Sequence, residues 1–262
     1  MREFSLQAYE ALLTAILGTG REIFTLREFF SRRPLPPAFF ILRHDVDRRP
    51  ERALRMAEAE RSHGVRSTYY FRPTPRVFRP EIVLSISAMG HEIGYHYEVL
   101  DKARGEPGPA ARIFEQELAE MRALVEVKTA SMHGNPLSPW DNRDLWKHHA
   151  LSRFGLIGEA YVSITDPDIA YATDTGRGWN RSTLNLRDRF TAGSVGTMPS
   201  FPSTWDLIQA LNDPGYRKVY LQVHPNRWTS GVLEWLGQWG EDLLLNGAKR
   251  FLMRAGIRRS VE

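Results

Sequence analysis

The feature that most constrains this chain is a repeated unit: a short apolar run that turns abruptly polar, followed by a helix-like stretch. FFILRHDVD (39–47) ends in His44, Asp45 and Asp47, and VRSTYYF (65–71) is followed by Arg72. HEIGYH (91–96) ends in His96, with Glu98 two residues on, and TASMH (129–133) leads into Gly-Asn-Pro. DIAYATD (168–174) ends in Asp174, and YRKVYLQVHP (216–225) ends near His224. Runs rich in β-branched and aromatic residues, bounded by turn residues, read as strands.

The intervening stretches read as helices. Pro50 opens PERALRMAEAERSHG, with proline in the first turn and Gly64 at the end. Further helices are expected at about 80–89, 110–126 and 203–212, and from about 230 onward. Residues 6–31 read as one or two amphipathic helices ahead of the main fold. IGEAYVS (157–163) is another candidate strand, and 175–190 reads as a loop rich in Gly, Arg and Asn. Strands alternating with helices predict a mostly parallel α/β sheet or barrel. In such a barrel every C-terminal strand end lies on one face, where active sites form. The polar ends would then meet at a single rim. The expectation is one catalytic domain over 1–262, with 1–36 as a helical extension packed on it.

Composition narrows the function. The 262 residues are 42% apolar and 25% charged, ordinary for a globular protein with a real core. There is no cysteine, so no disulfide, thiolate site or thiol nucleophile. The net charge of +4 invites a nucleic-acid reading, but the basic residues are interleaved with acids and show no dense run beyond the Arg258–Arg259 pair. No apolar run reaches the roughly 18 residues of a membrane span. The first twenty residues, with Glu3 and Glu10, lack a basic–apolar–small leader pattern. A cytoplasmic location is the expectation.

Imidazoles and carboxylates crowded at strand ends are the ligands a Zn-, Fe- or Ni-type cation accepts. They are also the groups that move protons near neutral pH. Each has a structural alternative. Asp47 could cap the helix at Pro50. His44 could orient a neighbouring carboxylate, and His91 could sit beneath the rim as a hydrogen-bonded residue. Trp140, Trp179 and Trp228 could stack on sugar rings or be buried.

The ordered set LRHDVD (42–47), STYYFR (67–72), GHEIGYHYE (90–98), SMHGNP (131–136), YATDTGRGW (171–179) and LQVHPNRW (221–228) resembles the polysaccharide deacetylase family, carbohydrate esterase family 4 and its relatives. The likeness is greatest to a divergent His-Asp-Val-Asp branch. It covers about residues 38–230. The resemblance implies a distorted (β/α) barrel of about seven parallel strands. It also implies one divalent metal, Zn first, with Co, Ni, Fe or Mn also accepted. Carried over, Asp45 is the general base, Asp47 and His96 are metal ligands, and His224 is the acid that protonates the leaving amine. Arg72, Asn135, Asp174 and Trp179 are candidate substrate contacts, with Asp174 alternatively orienting His224, and the backbone after Arg72 is a candidate oxyanion donor. The chain departs from the family pattern in three places. Val46 separates the aspartates. Leu100 stands where a second histidine is usual. His-Gly-Asn-Pro replaces an arginine-proline segment. His133 is then the expected third ligand, with Glu98 in competition, and Asp45 and Asp47 could exchange roles. The implied reaction is hydrolysis of an N-acetyl group on a sugar or glycan precursor. Another non-peptide C–N bond, or a non-catalytic glycan-binding member, is the alternative.

Overall fold

A computed structural model describes residues 2–135, 138–180 and 187–254, with side chains described up to residue 243. Pro136 of the HGNP segment, part of the 175–190 loop and the Arg258–Arg259 pair lie outside the described residues. In chain order the elements begin with α1 (Leu6–Gly18), β1 (Glu22–Phe24), α2 (Leu26–Ser31), β2 (Phe39–Val46), α3 (Pro50–Ser62) and β3 (Thr68–Phe71). There follow α4 (Pro80–Ala88), β4 (Glu92–Tyr97), α5 (Val99–Lys102), α6 (Pro107–Arg122), β5 (Thr129–Met132), β6 (Gly158–Glu159) and β7 (Ile169–Thr173). The chain continues with β8 (Gly196–Thr197), α7 (Thr204–Ala210), β9 (Lys218–Val223) and α8 (Val232–Arg254).

The strands form one sheet in the order β6-β5-β4-β3-β2-β9-β7-β8, with β1 also pairing on β2, and every pair is parallel. Curled and ringed by helices, this sheet is the distorted (β/α) barrel expected. Among the described residues it has nine strands rather than about seven, because β1 and β8 are short pairings with weak sequence signals. The candidate strand at 157–163 shrinks to two residues. Residues 6–31 hold two helices, as expected, but with β1 inserted between them.

β2 is buried along its whole length, as the central strand of a two-sided parallel sheet must be. Its side chains alternate between two environments. Phe40 and Leu42 pack outward with α1 residues Leu12, Leu13 and Ile16, whereas Arg43 and Asp45 point inward. Gly94 on β4 is required by the same packing, since a Cβ there would stand 2.2 Å from the Tyr70 ring.

His44 points outward from β2 and meets Glu60 of α3 at 2.7 Å. Glu60 is fully buried and accepts further hydrogen bonds from Ser67 (2.6 Å), Tyr69 (2.8 Å) and Tyr9 of α1. One carboxylate therefore ties α1 and α3 to the sheet. Burial alone would raise the Glu60 pKa, but His44, His91 and Ser67 hold it down to about 2. A depressed carboxylate stabilises the fold above its unfolded pKa, and that stability is lost as pH falls through the folded one. Stability is accordingly expected to decline between about pH 4.5 and 2, and Glu60→Gln should flatten that part of the curve in urea titrations across this range. An unchanged slope would refute the assignment.

Candidate active site at the C-terminal rim

The parallel register brings the C-terminal ends of β2, β3, β4, β5, β7 and β9 to one face. Asp45 and Asp47, Arg72, His96 and Glu98, His133, Asp174 and His224 arrive there from six different strands.

Asp45 lies deepest, 1% exposed. Arg43, two residues earlier on the same face, grips it twice: Nε donates to Oδ1 at 2.7 Å and Nη2 to Oδ2 at 2.6 Å. Gln222 of β9 donates to Oδ2 at 2.7 Å. The Gln222 carbonyl accepts from the Tyr161 (3.0 Å) and Tyr171 hydroxyls, which leaves its amide nitrogen to face Asp45. Arg43 is itself fully buried, 4.4 Å over the Tyr161 ring and hydrogen-bonded to Tyr220 (3.0 Å). Burial would raise the Asp45 carboxyl, but Arg43, His96 and His224 hold it below the usual carboxylate value.

Asp47 is nearer the opening, with a quarter of its side chain exposed. It does not cap α3. Arg49 occupies the cap position, and no side chain caps that helix. Asp47 Oδ1 is buried without a hydrogen-bond partner. It faces His96 Nε2 at 3.3 Å and His133 Nε2 at 3.7 Å. The far nitrogen of each imidazole is already committed. His96 Nδ1 donates to the Ser131 carbonyl at 3.0 Å. His133 Nδ1 lies 2.9 Å from Glu98 Oε2, an ion-pair distance with poor hydrogen-bond alignment. A carbonyl can only accept, so His96 Nδ1 carries hydrogen, and the Nε2 atoms of both imidazoles face Asp47. Burial would raise the Asp47 carboxyl, but His96, His133 and His224 hold it well below its ordinary value.

This donor set fits a divalent cation. Two ligand atoms about 2.0–2.1 Å from a shared tetrahedral metal stand about 3.4 Å apart. The two Asp47–imidazole separations bracket that length. Among the described residues, no group of three or more His, Asp or Glu side chains is arranged to hold a metal ion. The Asp47 oxygen without a hydrogen bond weighs more, because a buried oxygen set opposite two imidazole nitrogens is an arrangement that a cation would bridge. Glu98, the competing ligand, is otherwise engaged: Arg72 Nη2 donates to both its oxygens, at 2.7 and 2.8 Å. Burial would raise Glu98, but His133 and Arg72 hold it at about 2. Leu100 is buried in the core, consistent with its inability to act as a ligand.

His224 forms a second centre. Its Nδ1 meets Asp174 Oδ1 at 2.6 Å, and its backbone N–H donates to Asp174 Oδ2 at 3.1 Å. Trp228 Nε1 (2.9 Å) and Arg227 (2.7 Å) also donate to Asp174. Arg227 lies 2.9 Å from His224 Nδ1 as well. Because the carboxylate can only accept, Nδ1 keeps its hydrogen for Asp174, and Nε2 is left toward the site. Burial and Arg227 lower the imidazolium's stability, but Asp174 outweighs them and the His224 pKa is raised.

Several expectations need correction. Trp179 is fully buried, donates to Thr204 at 3.2 Å and packs beside Trp228, so it has no face for a sugar. The residue after Arg72 is Pro73, which has no N–H, so the oxyanion donor expected there cannot exist. Arg72 Nε, buried without a partner, is the available donor at that strand end. Asp174 serves His224 rather than standing free for substrate. His44 orients Glu60 rather than a rim carboxylate. His91, at the opposite end of β4, is the expected hydrogen-bonded residue beneath the rim: its Nε2 donates to the Ala57 carbonyl of α3 at 3.1 Å and its Nδ1 accepts from the Ser67 N–H at 3.2 Å. Asn135 is near the rim in sequence, with its carbonyl accepting from Ser138 N–H at 3.2 Å.

Sequence reading missed Arg43, Gln222 and Asp188. The first two sit at alternate positions of apolar strands, two residues before Asp45 and His224, a spacing that signals the same face. Asp188 gave no such signal. It receives the Thr175 hydroxyl at 2.7 Å and lies 3.9 Å from His224 Nε2.

No family model and no curated protein matches the chain. Among solved structures it is similar to a CE4 esterase of Streptococcus mutans, at 13% identity over 79% of this chain and 94% of that one, with a TM-score of 0.43. It is also similar to the peptidoglycan deacetylase PdaC of Bacillus subtilis, at 12% identity over 84% and 99%, TM-score 0.39. A family 4 carbohydrate esterase from Bacillus anthracis aligns at 15% identity over 81% and 88%, TM-score 0.37.

Proposed function

We propose that this protein is a metal-dependent deacetylase that hydrolyses an N-acetyl group on a sugar or glycan precursor. The observation that carries the reading is Asp47 Oδ1, buried and without a hydrogen bond among the described residues, facing the Nε2 atoms of two imidazoles. Asp47, His96 and His133 would hold a divalent cation, which would act as Lewis acid and lower the pKa of water toward neutrality. Zn suits two imidazoles and one carboxylate, and Co, Ni, Fe or Mn would also be accepted.

The remaining residues divide the proton work. Asp45 is the base, since Arg43 and Gln222 keep it ionised and their three hydrogen bonds leave one acceptor position on Oδ1. Arg72 Nε is a donor for the developing oxyanion. His224, held by Asp174, delivers a proton from Nε2 to the departing amine. An acid of this kind works only while protonated. Activity is therefore expected to fall as pH rises through the raised His224 pKa. Asp174→Asn removes the main group that raises it, so the alkaline limb of the kcat/KM profile should move to lower pH. An unmoved limb would exclude this pair as the acid.

The direct test is acetate release from N-acetylated oligosaccharides by metal-loaded protein. Release supports deacetylation. Cleavage of another C–N bond without acetate would favour a different hydrolase on the same scaffold.

A further inference from the structure

α8 is amphipathic in the reverse of the usual sense. Its polar side faces the protein. Glu234 pairs with Arg55, Gln238 with Arg52, and Glu241 with Arg48 and Arg49. Asp242 pairs with Arg177 at 2.9 Å. Its apolar side faces outward: Leu233 is 85% exposed, Leu236 50%, Trp239 46% and Leu243 51%. At 3.6 residues per turn these four share roughly one third of the helix circumference. A surface helix ordinarily buries that stripe. Here ion pairs dock the helix, and the stripe is left over.

The order of the pairs fixes the direction. Moving from Glu234 to Glu241 on α8, the partners run from Arg55 back to Arg48. α8 therefore runs antiparallel to α3, toward the rim that Asp47 occupies. Arg177, the partner of Asp242, follows Asp174 at the same rim. The helix continues from Leu243 to Arg254, eleven further residues or about 16 Å at 1.5 Å each. From 244 to 262 the sequence carries Lys249, Arg250, Arg254, Arg258 and Arg259 against a single acid, Glu262.

We propose that α8 docks on an anionic lipid surface and so presents the rim to glycans attached to a membrane. An exposed apolar stripe with a tryptophan, continued by a cationic run, is the pattern of a helix that lies in the lipid interface. A second copy packed parallel along α8 would set like cationic runs beside each other, whereas anionic headgroups complement them. The substrate part of the proposal rests on the deacetylase reading, and the docking part does not.

The test uses the full chain and two vesicle compositions, phosphatidylcholine alone and phosphatidylcholine with phosphatidylglycerol. Co-sedimentation is expected with the anionic vesicles only, and 0.5 M salt should release the protein. Leu236→Glu/Leu243→Glu should reduce the bound fraction at least tenfold. The same variant should lose at least tenfold in deacetylation of an N-acetylated glycolipid in those vesicles, with turnover of a soluble N-acetyl oligosaccharide unchanged. No binding to anionic vesicles, equal binding to both compositions, or unaltered binding by the variant would overturn the docking. A dimer that the variant converts to monomer would assign the stripe to a second copy instead. Equal loss on soluble and lipid-borne substrate would overturn the substrate assignment. Vesicle binding without activity on either substrate would overturn the deacetylase reading and leave the docking intact.

Discussion

Replacing Arg43 with methionine is expected to destabilise the protein by about 3–5 kcal/mol, the cost of stranding one partner of a buried ion pair. For a chain of this size that corresponds to a fall in Tm of roughly 10 °C. Arg43 has no solvent exposure, and the Asp45 carboxylate it neutralises is 1% exposed. After the substitution only Gln222 remains as a strong donor to that carboxylate. Asp45 must then either remain charged in a dry interior or take up a proton. Either outcome also harms a base that has to be ionised and oriented. A double variant, Arg43→Met/Asp45→Leu, removes both charges and should recover much of the stability while remaining inactive. Urea denaturation of the two variants checks this. A loss below about 1 kcal/mol for the single variant would mean that water reaches Asp45 and the clamp is not structural.

Asp47→Ala is expected to abolish both metal binding and turnover. Some stability is lost as well, since the imidazoles that hold the Asp47 carboxyl below its ordinary value lose that partner. Glu98→Gln provides the scale. Glu98 supports His133 from behind, and losing such an outer partner typically costs about 10–100-fold in affinity or activity. Asp47→Ala should exceed that range, because it deletes one of the three donors themselves. Equilibrium dialysis with Zn, paired with acetate release, distinguishes the two variants. Undiminished Zn affinity in Asp47→Ala would remove Asp47 from the ligand set.

Much of the fold is legible from residue pattern. The alternation of apolar runs with helices gives the parallel sheet, and proline in the first turn places α3. The weak elements were not legible for a physical reason. β6 and β8 are two residues each, held by neighbours rather than by their own periodicity. At the site, His96, His224, Asp45 and Asp47 stood out because charged and imidazole groups at strand ends are conspicuous. Trp179 was misread because an indole in a glycine-rich stretch looks the same in sequence whether it lines a cleft or fills a core. Arg43 was overlooked for the converse reason, since an arginine inside an apolar strand acquires meaning only through what encloses it.

The sequence by itself determined which groups arrive at the rim, since a strand that ends in His or Asp delivers that group wherever a parallel sheet places its C-terminal ends. Only the tertiary structure decided which of those groups are already committed. Arg43 and Gln222 reach Asp45 from β2 and β9. Glu98 is taken by Arg72 and His133, and Asp174 by His224. Asp47 Oδ1 is left unpaired between two imidazoles. Hydrogen-bond saturation depends on distances between residues far apart in the chain, from 43 to 222 or from 174 to 224, and no local pattern encodes those distances.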